Sequence, residues 1–159
     1  MATQGTFRDE KYNIIHRVKN SSNISIPEEY NKDLDKFAKL FNSKLSCFLF
    51  LASYGVKHNC YFGKSFKDYK TTNIYRAGTA GAEVTDGLGS FFVCVAFHHL
   101  YNIDKSIKEF DEIFEKSAAD IIHISEQYAL GALDYIFTEL GWTDGRNMPK
   151  EIFDEINSI

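Results

Sequence analysis

A single apolar stripe runs from Asp104 to Leu140. Ile107, Phe110, Phe114, Ala118, Ile121, Ser125, Tyr128, Ala132, Tyr135 or Ile136, and Leu140 recur at steps of three and four residues. No proline interrupts them, and Gly131 is the only glycine. This is the period of an amphipathic helix, sustained for about ten turns at ~3.6 residues per turn. Such a face is stable only when other helices lie against it. The stripe therefore sets the class: mainly α, a single-domain irregular helical bundle of four to five helices. A run this long exceeds the usual globular helix, so a break near Lys116–Ser117 is expected.

Residues 1–24 look weakly structured, with Asn20-Ser21-Ser22-Asn23 as a hinge or loop. Tyr12, Ile14, Ile15 and Val18 before it suit a short strand or one helical turn, and the pattern does not separate the two. Residues 25–159 form the helical domain. Ser25-Ile26-Pro27-Glu28 has the chemistry of a helix start, with Ser25 as cap and Pro27 in the first turn. Leu34, Phe37, Phe41, Leu45, Phe48 and Ala52 then keep one face apolar, and Gly55 is the expected stop. Phe91–Tyr101 is almost wholly apolar and reads as a helix buried on all sides, with Thr79 or Thr85 as its cap. Asp104 is expected to cap the long stripe, and Gly141 to end it. Asn147 and Pro149 open a short last helix with Ile152, Phe153 and Ile156 on its apolar side. The helices are thus expected near 27–54, 85–101, 104–116, 117–140 and 149–157, with a loop or small β segment over 58–80.

Composition bounds the function. The chain has 159 residues, suited to one domain. It holds 18 basic against 22 acidic residues, a net charge of −4. General binding to a phosphate backbone wants a basic excess that is missing here. Cys47, Cys60 and Cys94 show no Cys-x-x-Cys spacing, which argues against a zinc ribbon. With no secretory leader pattern at the start, the reading is a reduced, cytoplasmic protein. The 14 Phe and 9 Tyr mark a ring-rich core or interface.

Several constellations invite a chemical reading. The stretch 78–90 holds four glycines but no Gly-Lys-Ser/Thr, so a phosphate loop is not expected. His98, His99, Asp120, His123 and Glu126, with Asp86, are the candidates for a metal site. Asp120-x-x-His123 occurs once with no second copy, so the ligand number falls short, and no metal or cofactor is expected. A haem ligated by His98 or His99 fails because the region where a distal helix would lie reads as loop. Cys94 and His98 share a helix face, but the apolar run around Cys94 should keep its thiol protonated and inert. No catalytic residue is assigned.

The least ordinary stretch is 57–76. Here Lys57, Lys64, Lys67, Lys70 and Arg76 alternate with Tyr61, Phe62, Phe66, Tyr69 and Tyr75. Rings interleaved with cations suit a protein partner, since Tyr, Phe and Arg are enriched in interface cores. They also suit single-stranded nucleic acid through stacking and charge. The expected contact residues are Tyr61, Phe62, Lys64, Phe66, Lys67, Tyr69, Tyr75 and Arg76.

Asp86-Gly87-Leu88-Gly89 followed by Ala96-Phe97-His98-His99-Leu100 resembles a helix of the ArdB-type antirestriction proteins. The Gly-Gly-Tyr-Trp strand of that family has no counterpart here, and the chain is not assigned to it. The leading expectation is a non-enzymatic protein-binding module with another protein as partner: a toxin, an effector or an enzyme. Stoichiometric inhibitors and immunity or counter-defence proteins belong to that class. The alternatives are a metal- or ligand-binding helical bundle enzyme using His98 or His99, Asp120, His123 and Glu126, and a single-stranded nucleic-acid binder through 57–76. A homodimer stays open; a membrane does not enter.

Overall fold

The computed structural model describes residues 14–21, 23–76, 82–142 and 150–158, without the side chains of 82–86 and 153. The expected caps Thr79, Asn147 and Pro149 lie outside the described residues, as do the side chains of Thr85 and Asp86. The fold is mainly α, with one two-stranded sheet. Among the described residues no helix is long and apolar enough to cross a membrane.

Residues 14–20 form a helix, α1. It buries Ile14 and Val18, four residues apart and so on one face. Strand β1, Ile24–Pro27, pairs with β2, Thr71–Tyr75. The Ser25 hydroxyl meets Asn73 and the Glu28 amide donates to the Lys70 carbonyl, so the pairing runs antiparallel. This corrects the helix start expected at Ser25–Glu28. Ile24 and Ile26 are β-branched and buried, which suits a strand. The Ser25 hydroxyl is occupied by Asn73 and caps nothing. A single 3-10 turn, Glu28–Tyr30, leads into α2, Asn31–Ala38.

The helix expected over 27–54 is two helices. After α2 the chain turns through 39–43 and restarts as α3, Lys44–His58. Ser43 is the cap that sequence reading missed, its side chain accepting from the Ser46 amide at 3.1 Å. Lys44 braces the corner, 2.7 Å from Asp35 and 3.0 Å from the Asn31 side chain. Gly55 does not stop α3. The stop is Asn59, in the left-handed region at φ 55°, followed by the Cys60 amide donating to the Gly55 carbonyl at 2.8 Å. Gly55 is small for another reason: a Cβ there would collide with the Tyr128 carbonyl.

Helix α4, Ala82–His98, passes into a π turn, His99–Ile103. The run Phe91–Tyr101 is not buried all round, since Cys94 and Tyr101 are exposed. The long stripe is broken as expected near Lys116–Ser117, yet its first half is no α-helix. Asp104 ends the π turn, and its side chain takes the Ser106 amide. Lys105 follows at φ 58°, and only a 3-10 segment, Phe110–Glu115, intervenes. Ser117 then caps α5, Ala118–Asp134, by accepting from the Asp120 amide. Helix α5 ends in a second π turn, Tyr135–Glu139, and Gly141 reverses the chain at φ 67°. Helix α6, Lys150–Asn157, is amphipathic and buries Ile152.

The contacts divide the chain into two compact units. One comprises Met1–Ser25 and Asn73–Glu126; the other comprises Ile26–Thr72 and Gln127–Ile159. The first buries Phe92, Ile113 and Ile121. The second is ring-built: Phe37 meets Trp142 edge-on at 5.3 Å and Phe50 at 5.9 Å, and Phe137 meets Trp142 at 4.8 Å.

Candidate functional site

The second unit carries a groove of about 350 Å3. One wall is the end of α3 and the segment after it, with His58, Cys60, Tyr61, Phe62 and Lys64. The other is the end of α5 with Gly131, Asp134, Tyr135, Thr138 and Glu139. The wall segment lies in the stretch expected to be loop or strand, but it is not slack. The amide of Phe62 donates to the Gln127 carbonyl at 3.1 Å. The buried Gln127 side chain then clamps the next two residues, taking the Gly63 amide at 2.8 Å and donating to the Lys64 carbonyl at 2.8 Å. Gly131 lets this segment lie on α5, because a Cβ there would strike the Cys60 carbonyl and sit 2.8 Å from the Phe62 nitrogen.

The π turn shapes the opposite wall. The Leu140 amide reaches back to the Tyr135 carbonyl, five residues away. The Thr138 hydroxyl donates to the Asp134 carbonyl at 2.6 Å. The wider turn brings Asp134, Tyr135, Thr138 and Glu139 to one groove. Short π segments recur at functional sites in other proteins.

Rings dominate the surroundings. Tyr61 packs on Tyr128 at 4.8 Å and remains 36% exposed. Phe62 meets Tyr30, Phe66 and Tyr69, each edge-on at 5.7–6.2 Å. Lys64 holds its ammonium 5.5 Å from the centre of the Phe62 ring. Burial, and after it the charges of Asp134, Glu29 and Asp33, hold the Tyr30 phenol above its ordinary range. The Tyr54 phenol is pushed up to about 12, by burial first and then by Glu155 among its neighbours. Tyr54 stacks on His58 at 4.1 Å, and His58 is hydrogen-bonded to Glu155 at 2.6 Å.

Of the expected contact residues, Tyr61, Phe62, Lys64, Phe66, Lys67 and Tyr69 lie together along 61–69, exposed or half-buried. Tyr75 departs from them, buried at 8% exposure with its hydroxyl unpaired. Arg76 is exposed just past β2. A second, open concavity of about 580 Å3 lies beside Glu28, Glu29, Asp68, Tyr69 and Lys70. There the Lys70 ammonium already faces Glu28 at 3.4 Å.

The candidate metal residues do not assemble. Among the described residues no three His, Cys, Asp or Glu side chains are grouped as a metal ion would need. Asp120 is exposed near the start of α5. His123 Nδ1 and Glu126 Oε1 are 2.9 Å apart, and Glu126 Oε2 accepts from the Ser25 amide at 2.6 Å. The buried Glu126 carboxylate is therefore engaged in tying β1 to α5 within the first unit. His98 pairs with Asn102, whereas His99 is buried 3.9 Å from Asp104. Burial pushes the Cys47 thiol up to about 12 and raises that of Cys60, so neither is a ready thiolate. Cys94 is exposed rather than enclosed by its apolar neighbours.

Sequence reading missed Gln127, Asp134, Tyr135, Thr138 and Glu139. The one signal available was Gly131, a lone glycine within an apolar stripe, which marks a close backbone approach. No family model, no curated protein and no solved structure matches this chain.

Proposed function

We propose that this chain is a non-enzymatic protein-binding module that acts by covering the surface of another protein. Stoichiometric inhibitors of a toxin or effector, including immunity and counter-defence proteins, belong to this class. The observation that carries the reading is the clamped aromatic segment 60–69. Its rings are exposed or half-buried, yet its backbone is held over 60–64 by Gln127 and by the approach to Gly131. A surface ordered before binding loses little entropy on association, and exposed Tyr and Phe supply contact area. Charge favours a protein over single-stranded nucleic acid. Lys57 faces Glu155 at 3.3 Å and Lys70 faces Glu28, so two of the cations already have carboxylates beside them, and the chain as a whole carries a net charge of −4. A reducing, cytoplasmic setting belongs to the same reading, supported by three cysteines without a disulfide.

The test is affinity capture with the tagged full chain from its native host, in parallel with a Tyr61→Ala, Phe66→Ala variant that keeps the wild-type circular dichroism. One stoichiometric partner held by the wild type and lost by the variant is the expected result. A chain that stays monomeric and partnerless at micromolar concentration overturns the reading.

A further inference from the structure

We propose that the groove at the end of α5 is an anchor pocket for a lysine or arginine side chain of a protein partner. The cation would lie within reach of the Tyr61 and Tyr135 rings and the Asp134 and Glu139 carboxylates. This rests on the protein-binding reading and adds to it the chemistry of the contact.

Three observations carry it. The first is composition: rings and carboxylates line one groove, the pairing that recognises an ammonium or guanidinium. The second is unmet charge. Among the described residues, neither the Asp134 nor the Glu139 carboxylate has a hydrogen bond or an ion pair, although Asp134 is half-buried. The basic side chains that share the groove lie against other groups. His58 is bonded to Glu155, and the Lys64 ammonium sits over Phe62 rather than on either carboxylate. A partly desolvated carboxylate gains most from a cation brought by a ligand. The third is the field. The Tyr30 phenol, whose ring meets Phe62 beside the groove, is raised by burial first and then by the Asp134 charge.

The shape says why the cation belongs to a protein. The groove is near the lower end of the ~300–1,000 Å3 range of ligand pockets, and it is open rather than enclosing. It can hold one long side chain but surrounds no free ion. It opens beside the exposed rings of 61–69, so a chain that places one side chain in it lays its backbone over that segment.

The experiment titrates the isotopically labelled full chain at low salt with a blocked Gly-Ser-Lys-Ser-Gly peptide, its arginine counterpart, and their acetyl-lysine and citrulline isosteres. The charged peptides should shift the amides of Phe62, Gly131 and Tyr135, and the neutral isosteres should not. Asp134→Asn and Glu139→Gln, near-isosteric changes, should each weaken binding at least fivefold. Equal shifts from the neutral peptides, or no shift at the groove, overturn the proposal. Methylammonium or methylguanidinium binding as tightly as the peptides also overturns it, because the site would then serve a small cation. A partner captured equally by the wild type and the Asp134→Asn, Glu139→Gln variant overturns the groove assignment and leaves the protein-binding reading standing. Lysine-peptide binding in a chain that holds no partner supports the groove chemistry and removes the partner from it.

Discussion

Gly131 holds the 60–62 segment against α5 by having no side chain. A methyl group there meets the Cys60 carbonyl and the Phe62 nitrogen, both backbone atoms that cannot rotate away. Gly131→Ala should therefore destabilise the protein by about 1–3 kcal/mol, despite the better helix propensity of alanine. Thermal melting checks this, and an unchanged melting temperature would mean the segment relaxes freely. His99 makes a second prediction at this scale. Burial holds its imidazole below the ordinary value of 6.5, partly offset by Asp104. The folded state thus favours the neutral ring. Its contribution is whole above pH 6.5 and is lost as the pH falls from there through the lower folded value. Melting temperatures measured from about pH 7.5 down to about pH 5.5 should fall, and His99→Asn should flatten the slope. Equal slopes for both proteins would contradict the assignment.

Gln127 binds an element to a loop. Its amide group takes one hydrogen bond from Gly63 and gives one to Lys64, from a side chain that is buried. Leucine fills similar space and does neither, so Gln127→Leu should cost about 1–3 kcal/mol by leaving the two backbone groups unpaired. Hydrogen exchange should accelerate at 62–64 and stay unchanged in α4. At this scale the sequence was legible wherever one period had one solution. Helices α5 and α6 follow from their apolar spacing. The segment 104–116 did not, because Ile107 and Ile113 are buried by an irregular stretch and a 3-10 segment as well as by an α-helix. Ser25-Ile26-Pro27-Glu28 satisfies a helix cap and a strand end with the same residues. The aromatic segment was visible as composition, but the groove was not. A π turn adds a residue to a turn and swings the following side chains by about 100°. Glu139 looks like an ordinary surface acid until that swing, which brings it to the groove that Asp134 lines from the last turn of α5, is known.

Trp142, the sole tryptophan, is buried at 1% exposure against Phe37 and Phe137, so fluorescence reports the second unit directly. Phe37→Ala should lower the denaturation midpoint read at this fluorophore, for a loss of about 3–5 kcal/mol. A midpoint equal to the wild type would remove Phe37 from the core. Each unit is assembled from two separated stretches of chain, and the chain passes between units after Ser25, Thr72 and Glu126. That arrangement bears on synthesis. The stretch 26–72, with the apolar α3, leaves the ribosome well before 127–142, which supplies Tyr128, Gly131 and Trp142 to the same unit. At ~5–20 residues per second the interval is about 3–14 s. Throughout it α3 lacks the α5 backbone that lies against Gly55, and its apolar residues are exposed to chaperones and to aggregation. Chaperone crosslinks to α3 in stalled chains should persist until α5 has emerged and then disappear.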